Sequence, residues 1–180
     1  MTYVVQEPRL GYTAIASVDA GITPPGSGSA TLIPTPPNTL GQVIRAFDPI
    51  FGEGEFIYLK GVASTMVGSL VTYNGATYLT TLCPVTANLG QPVAVAMSAN
   101  VATTTFGWYQ IGGTAVVAKS TGITFAANVA LGVNSTGKVG ASASGKQVLG
   151  ARTANTATVA SATTTVNVVI DRPHMQGRVT

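Results

Sequence analysis

Few residues in this chain of 180 can make or break bonds: one His, one Cys, six acids and nine bases. His174 has Asp171 three residues before it, the acid and imidazole of a nucleophilic site, yet Pro173 stands between them near the end of the chain. A tail that has left the last strand explains the pair better than a triad. Glu53 and Glu55 would project to one side of an extended segment, as paired-carboxylate catalysis requires, but two acids opening a strand are more ordinarily solvated turn residues. One His and one Cys cannot supply the three or four ligands of a zinc site. Cys83 has no partner for an intrachain disulfide and fits a small buried apolar residue in a chain made in a reducing cytosol. Gly52-Glu53-Gly54 and Gly112-Gly113 lack the strand, spacing, lysine and helix of a phosphate loop and are expected to be turns. Asn134-Ser135-Thr136 matches the glycosylation acceptor pattern; with no secretory leader expected, it is assigned to a β-turn beside Gly137. This inventory predicts no enzyme, no metal and no cofactor.

The aromatic residues offer a second kind of chemistry. Phe106, Trp108 and Tyr109 could form a platform that stacks on a sugar or a base. Aromatic residues within a strand more often serve the core or a subunit contact, and that use is favoured for Trp108 and Tyr109.

Charge is scarce and unevenly placed. Only 8% of the residues are charged while 46% are apolar, where a soluble domain is ordinarily about a quarter charged. Residues 1–55 carry five acids against two bases, and residues 56–180 carry seven bases against Asp171 alone. The net +3 and the pI near 9.2 therefore come from cations scattered over more than a hundred residues. A groove that tracks phosphates needs several converging on one face, so direct nucleic-acid binding is not expected. No stretch is long and apolar enough for a membrane helix. From Gly61 to Ala118 there is no Asp, Glu, Lys, Arg or His at all. Such a segment is expected to lie in a β-rich core and against a protein neighbour, because an open surface carries charges of both signs.

The elements that must hold these residues are strands. Six of the ten prolines fall within the first 37 residues, including Pro24-Pro25-Gly26-Ser27-Gly28-Ser29 and Pro34-Thr35-Pro36-Pro37. Residues 1–45 thus form an extended arm, and its apolar beads, among them Tyr3, Val5, Leu10 and Tyr12, are expected to pack on a neighbour. Residues 46–180 form a compact all-β barrel or sandwich, with strands expected at 55–62, 69–73, 76–80, 92–97, 105–111, 114–118, 129–133, 147–151 and 164–170. Asn74-Gly75 predicts a two-residue type I′ hairpin in which Val71 faces Tyr78 and Leu70 faces Leu79. Residues 125–131 could instead make one short helix, and Thr153–Ala162 is expected to be a loop or weak strand.

Three phrases bring a family into view: Gln91-Pro92-Val93-Ala94-Val95-Ala96, Gly107-Trp108-Tyr109-Gln110-Ile111-Gly112-Gly113-Thr114-Ala115-Val116-Val117, and Gly145-Lys146-Gln147-Val148-Leu149-Gly150-Ala151-Arg152. With Gly137-Lys138-Val139 and the close at Val168–Pro173, the chain from about residue 54 to 173 resembles the head decoration, or cement, proteins of tailed bacteriophages. The resemblance implies a structural protein made in the host cytoplasm and found on the outer surface of the virion capsid. Its partners would be the major capsid protein and further copies of itself, a homotrimer being favoured. The arm would then add a strand to a sheet of a neighbour. The alternatives are another virion component, such as a tail or fibre protein, and a carbohydrate-binding β module using Trp108 and Tyr109.

Overall fold

The computed structural model describes residues 36, 38–100 and 105–178, together with the backbone of two short arm strands. Strands run in chain order as β1 (Val4–Val5), β2 (Val18–Asp19), β3 (Val43–Asp48), β4 (Gly52–Lys60), β5 (Leu70–Tyr73), β6 (Thr80–Leu82), β7 (Val93–Ala96), β8 (Phe106–Ala118), β9 (Ala130–Ser135), β10 (Lys138–Ala141), β11 (Gln147–Thr153) and β12 (Thr165–Met175). Every ladder between them is antiparallel, and the sheet, ordered β1-β3-β4-β8-β12-β11-β9-β10, curls into a half-barrel. β2, β5, β6 and β7 branch from this path, β2 and β7 both pairing with β8. No helix occurs among the described residues, so the all-β expectation holds and the short helix at 125–131 does not form. Phe125 instead bridges to Val159 within the Ala/Thr-rich connection.

Side-chain alternation explains why the strands around and within the uncharged stretch hold no charge in their interiors. Even-numbered Phe56, Tyr58, Phe106 and Trp108 join Ile44, Ala46 and Met97 on one face, while Ile57, Leu59, Tyr109 and Ile111 join Val71, Ala94 and Ala96 on the other. A strand covered on both faces has no position left for a charge. A third cluster, running from Leu70 and Val93 to Val168 and Met175, fills the inside of the curl. Each large side chain buried this way contributes about 1.5–3 kcal/mol.

Several local expectations need correction. The Asn74 hairpin exists, but Val71 pairs with Leu82 and Tyr73 with Thr80, so the loop spans 74–79. Asn74 closes it through its side chain, Oδ1 accepting from the amides of Ala76 and Thr77, and Gly75 does not take the positive φ that a type I′ turn demands. Gly112-Gly113 is no turn: β8 continues through it, with a bulge where Gly112 and Gln110 pair with the neighbouring Glu55 and Phe56, and joins two expected strands into one of 13 residues. Gly52-Glu53-Gly54 lies in β4, and the reversal sits just before it, where Asp48 Oδ1 accepts from the amides of Ile50 and Phe51. His174 has not left the last strand; it lies in β12 opposite Leu149. β3 and β10 are strands that the pattern did not suggest, and β3 crosses residue 45, where the arm was expected to end.

Candidate functional site

Five charged residues, Arg45, Glu53, Glu55, Asp171 and Arg172, meet at a corner of the sheet whose floor is made by two glycines. Glu55 of β4 and Asp171 of β12 both stand opposite Gly112 of β8, one on each side. A Cβ on Gly112 would lie 3.2 Å from Glu55 Cβ, and one on Gly113 would lie 2.2 Å from the Glu53 carbonyl oxygen. Gly113 also holds φ +89, so glycine is required there for both space and backbone angle. Buried Gln110 fastens the distortion, its Nε2 donating to the carbonyls of Gly112 and Thr114 at 3.0 Å each.

Above this floor Arg45 donates from Nε and Nη2 to Glu55 Oε1 at 3.2 and 3.1 Å, while Arg172 donates from Nη2 to Oε2 at 3.0 Å. One carboxylate thereby ties β3, β4 and β12 across β8. Glu53 and Asp171 complete the walls of a pocket of about 340 Å³. The two arginines are 65% and 67% exposed, which keeps each pair in high dielectric and worth little individually. None of the residues lining the pocket is an imidazole, a thiol or a hydroxyl nucleophile. Asp171 also borders a second pocket, of about 740 Å³, where β11 bulges at Gly150 and Arg152 Nη1 donates to Asn128 Oδ1 at 3.3 Å. Among the described residues no group of three His, Cys, Asp or Glu could hold a metal ion.

The other candidates separate. His174 is exposed and lines neither pocket. Trp108 and Tyr109 are fully buried, so neither ring presents a face to solvent. Trp108 packs at 5.0 Å from Tyr58, and the Tyr109 hydroxyl accepts from Asn100 Nδ2 at 2.5 Å, with burial pushing its pKa up to about 12. Cys83 is buried with its Sγ 3.4 Å from Met175 Sδ, and burial pushes the thiol up to about 12, which keeps it protonated and unreactive. Val5 lies in β1 opposite Ala46, while Tyr3, Leu10 and Tyr12 fall outside the described residues.

Sequence reasoning missed two features. Lys119 is buried and donates from Nζ to the carbonyls of Ser120, Ser161 and Thr163 at 3.1, 3.2 and 3.0 Å. It secures the loop before β12, with no counter-ion among the described residues. The second feature is a set of large apolar side chains left outside: Ile50 at 82% exposure on the β3–β4 turn, and Met66 and Val67 at 69% and 64% after β4. The Met66 loop is held firmly. The Met66 amide donates to Ser69 Oγ at 3.0 Å, Thr65 and Asn100 exchange amide bonds, and Gly68 donates to Ala96 and accepts from Ala118. Comparison with protein families, curated proteins and solved structures found no match.

Proposed function

We propose that this chain is a structural virion protein that seats on the outer surface of a tailed-phage capsid and stabilises the shell. The observation that supports this most is the Met66-Val67 loop, two apolar side chains held in solvent by a hydrogen-bonded turn. A rigid apolar anchor loses little entropy on docking and so suits a pocket on a protein partner. Ile50 on its capped turn offers a second anchor. The ionic corner belongs to the same reading as a brace, since Glu55 links strands rather than facing a reacting group. The partners are the major capsid protein and further copies of this chain, with a trimer favoured. The carbohydrate alternative loses its platform, because Trp108 and Tyr109 lie inside.

Purified protein added to capsids that lack it, followed by cryo-electron microscopy, tests the proposal. Regular added density on the outer surface is expected. Capsids left bare at saturating protein would contradict it.

A further inference from the structure

The loop between β5 and β6 places a carboxamide, a backbone nitrogen and two hydrogen-bond donors in an order that can do chemistry on the chain itself. Asn74 is followed by Gly75, the one Asn-Gly pair in the sequence, and residues 74–77 are all exposed. Asn74 Oδ1 accepts from the backbone amides of Ala76 and Thr77 at 2.8 and 3.0 Å, so two fixed dipoles polarise the side-chain carbonyl. No described group accepts a hydrogen bond from Asn74 Nδ2 or from the Gly75 amide, which leaves the leaving group and the nucleophile both free. A Cβ on Gly75 would meet nothing within 4 Å, and without one the Gly75 nitrogen can approach Asn74 Cγ unhindered.

We propose that Asn74 is a site of self-modification, where the Gly75 nitrogen displaces ammonia from the Asn74 carboxamide and water then leaves an acid in its place. In the first step Gly75 N gives its proton to solvent base and bonds to Asn74 Cγ. Oδ1 takes up the carbonyl electron pair as an oxyanion on the two amides that already hold it, the arrangement of an oxyanion hole. The pair then returns, the Cγ–Nδ2 bond breaks, and Nδ2 leaves as ammonia with a proton from water, closing a succinimide. Water opens that ring at Cγ to give an aspartate, or at the Asn74 backbone carbonyl to give an isoaspartyl link. One water is consumed and one ammonia released, with no change of oxidation state. Either opening puts a carboxylate into the Gly61–Ala118 stretch, which carries no ionisable acid or base, and lowers the formal net charge of +3 by one. This inference does not depend on the capsid reading.

Incubation of the full chain at mildly alkaline pH, followed by peptide mapping with mass spectrometry, tests it. A synthetic peptide of residues 70–82 supplies the same Asn-Gly pair without the folded loop. Loss of ammonia at Asn74 should be at least about tenfold faster in the folded protein than in the peptide, because the two amides act on a full charge in the transition state and only on a dipole before it. Thr77→Pro deletes one of the two donors and should slow the folded chain by about threefold or more, the share of one donor. Gly75→Ala places a methyl group beside the attacking nitrogen, in open space that leaves the fold intact, and should remove most of the conversion. An Asn74 that stays intact in the folded chain, conversion no faster than in the peptide, or a rate unmoved by either substitution would each overturn the proposal.

Discussion

The ionic corner and the uncharged stretch from Gly61 to Ala118 solve opposite problems with the same sheet. At the corner, two glycines open a floor and one carboxylate gathers two arginines from strands far apart in sequence. In the strands of the uncharged stretch, side chains of both parities are covered, and Met66 and Val67 stand outside on a fixed turn. The contrast teaches where this chain spends its charges. They pin strands or cap turns, as Glu55, Asp48 and Lys119 do, and leave the exposed apolar tips free of ions that docking would have to desolvate.

Substitution at the glycine floor should break the comparison most severely. Gly113→Ala puts a Cβ 2.2 Å from a backbone oxygen at an unfavourable φ, and is expected to cost on the order of 3 kcal/mol or more in urea unfolding. Gly75→Ala, where nothing lies within 4 Å, should stay within about 0.5 kcal/mol. Equal effects at the two sites would refute the close approach at the corner.

Alkaline pH probes the covered stretch instead. Tyr109 and Cys83 both have pKa values raised to about 12 by burial, from 10.0 and 9.0, so the folded state holds their protons more tightly than the unfolded state. Their contribution is fully present below pH 9 and is lost as pH climbs from there towards 12. Urea midpoints should fall across that window, and C83A should flatten the lower part of the slope. A midpoint constant to pH 11 would contradict the burial.

Smaller effects sharpen the account of the pinning charges. Lys119→Met removes a donor from the Ser120, Ser161 and Thr163 carbonyls, of which Ser161 keeps the Gly122 amide, and should cost about 1–3 kcal/mol. Glu55→Gln weakens two largely exposed pairs and should cost no more than about 1 kcal/mol, less as salt is added. A larger loss from Glu55 than from Lys119, measured by denaturant titration, would invert the ranking by burial.

The strand-rich class was legible because alternation, β-branched residues and Gly/Asn punctuation are local signals. The register of the Asn74 hairpin was not, since the Asn74 side chain competes with the Asn-Gly backbone preference and wins a longer loop. Gly112-Gly113 misled for a related reason. Two glycines mark a turn when they face solvent, but here they mark a close crossing of β4 and β8, which only long-range packing determines. Half of the corner was within reach: Arg45 and Glu55 lie equally far from the Pro49-Ile50-Phe51 reversal, so recognising that hairpin would have paired them. Arg172 joins them from 117 residues away, with no local trace. The Met66 loop stayed hidden because the uncharged stretch reads as uniformly buried until the fold shows which residues remain outside.

The proposed seating of this protein on a shell rests on the exposed apolar loop at Met66 and Val67. A Met66→Asp/Val67→Asp variant should fold with an unchanged β-type circular dichroism spectrum and a stability within about 0.5 kcal/mol per substitution, because both side chains already face solvent. Its occupancy on capsids that lack the protein, counted by cryo-electron microscopy against the unaltered chain at the same concentration, should fall at least about tenfold. Full occupancy by the folded double variant would contradict the account.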